Sequence, residues 1–389
     1  MQIVTINTLL LANQFLQMPI TIYASNAAWI RPLDKDINDV FDEKKNKAFR
    51  FGHLQRWILK DDEGNSIGRV AAFVNKKYKN KGDDIPVGGI GFFECINNQV
   101  AANFLLNHAK NWLQQNGMQA MDGPINFGER DRWWGLLVDG FHSPLYGMNY
   151  NPPYYKSLFE NYGFKPFFNQ ICFGMDPKKP FEQKIYQRHA AFAAQPQFTS
   201  QHFEPSQLVK FAKDFAIVYN KAWAGHGGLK QMPEAQAILL FKKMLPVMDK
   251  KIIWFAYHQK EPIAIFINLP DLNQWFKHLN GKFGVLQKLH FLWVKKFYPN
   301  KKFTGIVFGV VPEWQGKGID AFIVGEAASK YVQTANSPYT EYEMQWIGEF
   351  NPKMLNVVQN LGHTTKSRIL TTYRYNFDTN KPVVMHPMV

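Results

Sequence analysis

The sequence predicts a mixed α/β protein assembled from two copies of one fold. Apolar runs of strand length alternate with stretches of helical periodicity, and some strand pairs read as hairpins. A polar turn and apolar run ending at Asn75 recur in a second turn and run with Asn268 in the matching place. An Asn-Pro pair opening a helical run that closes on Gly occurs twice, at Asn151-Pro152 and Asn351-Pro352. The two pairs of marks come in the same order at nearly equal separations, which is the signature of a duplication.

The first copy reads as a helix near 9–17, strands near 55–59, 67–74 and 87–94, a helix over 99–116 and a helix over 152–162. Pro177, Pro180, Pro196 and Pro205 punctuate a junction with one helical piece over 181–194. In the second copy Leu208, Phe211, Phe215, Val218 and Trp223 recur at helical spacing. Pro233 sits in the first turn of a second helix, over 233–248. Strands over 252–257 and 263–269 come next, then a helix over 285–297, a buried strand over 304–311 and a helix over 318–332. A strand over 339–347, a helix over 352–361 and a strand over 369–377 complete it. The division expected is a first domain over 1–180, a linker over 181–205 and a second domain over 206–389.

Composition removes several classes. With 46% hydrophobic and 15% aromatic residues in 389, the chain buries a large core, which excludes intrinsic disorder. Two cysteines exclude a disulfide scaffold, and Cys95 and Cys172 lie in apolar runs as reduced core residues. No run approaches 18 apolar residues, so no membrane-spanning helix is expected. The N-terminal stretch lacks a basic leader and a small-residue cleavage site, and a cytoplasmic location is expected. The net charge of +14 is mostly lysine in short scattered groups such as Lys76-Lys77 and Lys295-Lys296. It reads as a solubilising surface, or as attraction for an anionic ligand such as a phosphorylated cofactor or RNA.

The sharpest local feature runs from Val310 and Val311 through Gln315, Gly316, Lys317, Gly318, Ile319 and Asp320. A strand enters a Gly-rich turn and then a helix, which aims backbone N–H groups and a helix N-terminus at one point, suited to phosphate. Neither the P-loop spacing nor the dinucleotide fingerprint is present. The run resembles the acyl-CoA loop of GNAT-superfamily N-acetyltransferases, where a strand ends in Gln/Arg-x-x-Gly-x-Gly/Ala. Gln315 and Gly318 match, and Asp320 stands where that family has Gly or Ala. The order of elements over 206–377 resembles the GNAT order, and Asn351 matches an Asn that contacts the cofactor in many members. The first copy keeps Gly163-Phe164 but runs Cys95-Ile96-Asn97-Asn98-Gln99 after its third strand, with no Gly turn.

The resemblance implies two tandem GNAT-like domains, the second binding acetyl-CoA or another acyl-CoA and passing the acyl group to an amine. A general base would take the amine's proton. On the strand over 339–347, Glu341, Glu343 and Gln345 share one face, which suggests a wet cleft with Glu343 as base and Glu349 second. Phe159 and Val358 stand where many members have a proton-donating Tyr, leaving Tyr339, Tyr342 or water for that step. His226, in a Gly-rich loop, and Asp271 with Asn273 at a strand end are candidate substrate contacts. Trp133-Trp134 beside Arg130 and Arg132 read as core or as a cationic aromatic surface. No metal-ligand spacing and no serine-hydrolase elbow is present. Two rival readings stand beside this one: an aminoacyl-tRNA-dependent transferase, which also uses paired GNAT-like folds, and a non-catalytic GNAT-fold ligand-binding protein.

Overall fold

In a computed structural model, residues 1–223 and 231–388 are described. One continuous sheet runs through them. Its strands in chain order are β1 (Gln2–Thr5), β2 (Gly52–Lys60), β3 (Ser66–Asn75), β4 (Val87–Cys95), β5 (Ala120–Gly123), β6 (Leu136–Asp139), β7 (Lys165–Met175), β8 (Phe198–His202), β9 (Ile253–His258), β10 (Glu261–Pro270), β11 (Lys302–Val310), β12 (Glu341–Met344), β13 (Ile347–Gly348) and β14 (Thr365–Asn376). Across the sheet the order is β1-β2-β3-β4-β5-β14-β7-β12-β11-β10-β9-β8, with β6 on β14 and β13 on β7.

The duplication is visible in this order. Each half begins with an edge strand, β1 or β8, followed by two helices: Leu9–Ile22 and Asp34–Phe41 in one, Leu208–Trp223 and Glu234–Met244 in the other. An antiparallel hairpin comes next, β2-β3 or β9-β10. The third central strand runs antiparallel to that hairpin, and after a helix the chain returns in a strand parallel to it: β4 with β5, and β11 with β12. The helices in these crossovers are Gln99–Gln115 and Ile319–Ala327. The halves differ just before that third strand: β3 and β4 are joined by a loop, whereas Asn273–Phe276 and Val285–Phe297 are helices between β10 and β11.

The stretch over 181–205, expected as a linker holding one helical piece, contains the helix Gln183–Ala193 and also β8, which pairs with β9 along its length. The larger departure is at the ends of the halves. β7, which comes after the first half's helix Tyr155–Tyr162, pairs with β12 of the second half. β14, which comes after the helix Pro352–Asn360, pairs with β5 of the first half. Each half therefore lends its last strand to the other's sheet, and β7 and β14 form a long antiparallel ladder between them.

Two apolar cores lie on either side of this seam, one built on Trp57, Leu105 and Tyr155, the other on Phe211, Phe255 and Phe322. The seam itself carries charge. Arg374 of β14 is buried, its Nε 2.6 Å from Oδ1 of Asp122 on β5 and its Nη1 2.7 Å from Oδ1 of Asp83. Removing one partner of a buried pair leaves the other charge uncompensated, at a cost of about 3–5 kcal/mol. Arg374→Ala is therefore expected to lower unfolding free energy by about that amount in urea titration. A loss below about 1 kcal/mol would show that β14 is held by its backbone ladder alone.

Candidate active site

β11 ends at Val310, and the amide of buried Val311 donates to Ile263 O at 3.0 Å. The chain makes one turn over Pro312–Trp314. Gln315 folds its side chain back so that Nε2 donates to Val310 O at 2.9 Å, fixing the end of the strand. Gly318 stands at the start of the helix Ile319–Ala327 with φ at 96°, a left-handed conformation that a side chain resists. It supplies no capping side chain, so the first-turn amides of Ile319 and Asp320 point free of the helix. Arg188 and Phe192 of the neighbouring helix close over this point: a Cβ built on Gly318 would lie 3.4 Å from Arg188 Cδ. Lys317 is exposed, its Nζ 5.0 Å from the Trp314 ring centre. The result is a set of free amides with Lys317 and Arg188 beside it. Asn351, expected as a cofactor contact, caps a helix: its Oδ1 accepts from Met354 N at 3.2 Å at the start of Pro352–Asn360.

Beside this turn β11 and β12 part. They pair only from Lys302 with Glu341 to Gly305 with Met344. The space beyond is a cleft between the sheet and the helices Ile319–Ala327 and Pro352–Asn360. Phe303, Phe308, Val324, Ala328, Met354 and Val358 are among its walls, and Asp320, half-buried, lies where the cleft meets the turn. The Tyr342 hydroxyl sits on the floor, packed so closely on β11 that a Cβ at Gly305 would overlap it. Burial pushes this phenol's pKa up. Oδ1 of nearby buried Asn268 has no hydrogen-bond partner among the described residues.

The carboxylates lie differently from expectation. Glu343 does not face a wet cleft. It is buried, with Oε1 accepting from Arg368 Nε at 2.7 Å and Ser367 Oγ at 2.8 Å, and Oε2 paired with Lys302. Burial alone would raise its pKa, but Arg368 and then Lys302 outweigh it and hold the carboxyl at about 2. A carboxylate so engaged is a poor proton acceptor near neutrality. Arg368 also donates from Nη2 to His142 Nδ1 at 2.8 Å and to Ser143 O at 2.9 Å. Glu341 is exposed, 4.0 Å from Lys302 Nζ. Glu349 holds Asn169, accepting from its backbone N at 2.8 Å and its Nδ2 at 2.9 Å. Asp271 is buried and accepts from the amides of Tyr146 and Asn273, both at 3.2 Å. Its pKa is raised by burial, with Lys302 opposing, to about 6. Asn273 Nδ2 donates to Pro144 O at 2.8 Å, so this pair braces the 144–146 loop of the first half. His226 lies outside the described residues. Trp133 and Trp134 are core, and Cys95 and Cys172 are buried free thiols.

The first half holds a second cavity, beside β4 and next to the Asp271–Asn273 brace. Buried Glu94 lies on its wall, accepting from the hydroxyls of Tyr23 and Tyr155, both at 2.8 Å. Its pKa is raised by burial, with Arg69 opposing. These three residues are far apart in the chain and match no motif.

Comparison with known proteins bears on the fold. No family model matches the chain. The chain is 22% identical over 360 residues to protein YghO of Escherichia coli (strain K12), covering 90% of this chain and 88% of that one. It is 23% identical over 356 residues to a protein of Caulobacter vibrioides (strain NA1000 / CB15N) named bacterial ceramide synthase, covering 90% and 91%. Among solved structures, a tandem GNAT protein from the clavulanic acid biosynthesis pathway aligns with a TM-score of 0.51 at 10% identity, over 97% of this chain and 98% of that one. This chain has the tandem GNAT fold. A GCN5-related glucosamine N-acetyltransferase region in a fungal multi-domain β-N-acetylglucosaminidase aligns with a TM-score of 0.53 at 12% identity, over 96% of this chain and 38% of that longer one. In the tandem GNAT fold seen here, only the second half carries a glycine turn at the end of its third central strand; the first half has Asn98 capping its helix there through Ala101 N at 3.0 Å.

The ion cluster has a measurable pH signature. The Glu343 carboxyl lies below the ordinary 4.5, so its contribution to stability is complete above about pH 4.5 and drains away as pH falls toward 2. Glu343→Gln is expected to cost about 3 kcal/mol at pH 7 and less than half of that at pH 3. Urea titrations at the two pH values measure this, and an equal loss at both would refute the depressed carboxyl.

Proposed function

We propose that the protein transfers an acyl group from an acyl-CoA to an amine. The observation that carries this reading is the continuity of the free-amide turn over 316–320 with the cleft between β11 and β12. The amides of Gly318, Ile319 and Asp320, with Lys317 and Arg188 beside them, would hold the pyrophosphate, because a helix N-terminus and two cations offset its charge. Asp320 opposes this in part, since a carboxylate in the first turn competes for the same donors. Bound acyl-CoA would supply an activated carbonyl and a thiolate leaving group. The transfer forms a C–N bond and breaks a C–S bond, and the amine loses a proton while sulfur gains one.

Glu343 and Glu349 take positioning roles in this reading. Glu343 fixes Lys302 and Arg368 under the strand that floors the cleft, and Glu349 fixes Asn169 on β7. Neither carboxylate is free to accept an amine proton.

The cleft also bears on acyl length. Its walls are almost wholly apolar, which gives little to the amides of a pantetheine arm and much to a hydrocarbon chain. A chain longer than acetyl fits this surface better, and the relative named for ceramide, an amide of a fatty acid, points the same way. Each buried methylene contributes about 0.8 kcal/mol, so affinity should rise roughly fourfold per added methylene until the cleft is filled. Calorimetry with acetyl-, hexanoyl- and dodecanoyl-CoA tests this; equal affinities would contradict an acyl-binding cleft. Turnover with amine acceptors then separates the enzyme from a non-catalytic binding protein of the same fold. The engaged carboxylates favour the latter, and binding without acyl transfer to any amine would select it.

A further inference from the structure

The helix Val285–Phe297 has no counterpart in the first half, where β3 and β4 are joined by a loop. Its inner side is anchored: Phe291 and Val294 are buried in a cluster with Leu33, Trp275, Phe276 and Leu279. Its outer side is also apolar. Val285, Leu286, Leu289, Leu292, Trp293 and Phe297 are each more than half exposed. Val285, Leu289, Leu292 and Trp293 recur at i, i+4, i+7 and i+8, which places them on one stripe facing away from the protein. Trp293 and Phe297 lie in contact, their ring centres 5.5 Å apart. Lys295 donates to Pro246 O at 2.5 Å, which brings exposed Leu245 alongside the helix. A soluble helix with one face buried shows polar residues on the other, and a contiguous apolar patch of this kind marks a docking surface.

Charge identifies the partner. Between Asp271 and Glu313 the sequence has seven lysines and no acidic residue. Lys282, Lys288 and Lys296 are exposed, and among the described residues no carboxylate pairs with them. Lys288 flanks the apolar stripe and Lys296 lies within it, each able to reach past the hydrocarbon stems to an anionic plane. An apolar face containing an exposed Trp and Phe and edged by lysines suits the boundary between acyl chains and anionic headgroups. The helix has 13 residues, short of the roughly 20 that a span needs, and no helix among the described residues is long and apolar enough to cross a membrane.

We infer that the helix Val285–Phe297 docks the protein on the surface of an anionic lipid bilayer, lying in the interface with its Leu289–Trp293 stripe in the acyl boundary. With no run of 18 apolar residues, the sequence alone predicts no membrane partner; surface docking needs no such run. Lipid binding is measured without substrate and is independent of acyl transfer.

The test is cosedimentation of the full chain with vesicles of pure phosphatidylcholine and of equal parts phosphatidylcholine and phosphatidylglycerol. The wild type binds the mixed vesicles, binds the neutral ones at least tenfold more weakly, and releases as salt rises. Leu289→Glu/Trp293→Glu, at exposed positions, lowers binding to the mixed vesicles at least tenfold while keeping the wild-type melting profile. Lys288→Glu/Lys296→Glu lowers it as well, with every apolar side chain of the stripe kept. Absence of wild-type binding, or binding unchanged in the first double variant, overturns the inference. So does sedimentation velocity showing a lipid-free dimer that the Leu289→Glu/Trp293→Glu variant makes monomeric, since the face would then belong to a second copy.

Discussion

The ladder between β7 and β14 joins the two halves, and the rest of the architecture depends on it. Each strand belongs by sequence to one half and by hydrogen bonding to the sheet of both. Neither half can close its own sheet without leaving an unpaired edge, which is an aggregation hazard in an isolated unit. The exchange makes one folding unit of a duplicated chain. It also explains the charge at the seam: Arg374 reaches Asp122 and Asp83, and Arg368 reaches Glu343 and the carbonyl of Ser143. Buried ion pairs contribute little net stability over apolar residues of similar volume. In this sheet the Arg374 pairs nonetheless join residues that only the exchanged pairing brings together.

The same constraint shapes the candidate site. β12 is held on one side by β7 and on the other by β11, and it pairs with β11 for only four residues. The cleft is the space opened by that divergence. Its floor is Tyr342 and Met344, and the reverse face of the same strand carries Glu343 in its ion cluster. One strand thus separates an apolar cavity from a set of buried charges. The placement gives a rigid wall to the cleft and leaves Glu343 with no open position for a proton.

Periodicity made the helices legible, because residues such as Phe211, Phe215 and Val218 must share a face to be buried. The turn over 315–318 was legible because glycine at a left-handed position carries a backbone meaning that no side chain supplies. The alternation of Glu341, Glu343 and Gln345 was legible as a face, but its surroundings were not. A buried carboxylate and an exposed one look alike in sequence, and Lys302 and Arg368, which decide the matter, are distant in the chain. The exchange of β7 and β14 left no local signal, since a strand's own residues do not name its neighbour. Nor did Glu94, Tyr23 and Tyr155, which come together from three separate elements.

In the proposed reaction acyl-CoA occupies the second half alone, at a turn that the first half lacks. Hydrogen exchange with a nonhydrolysable dodecanoyl-CoA thioether, read by mass spectrometry, tests that directly. Added protection should concentrate in 310–328 and 341–358, with the first-half counterpart over 91–102 unchanged. Protection confined to 91–102, or none in 310–328, would contradict that placement.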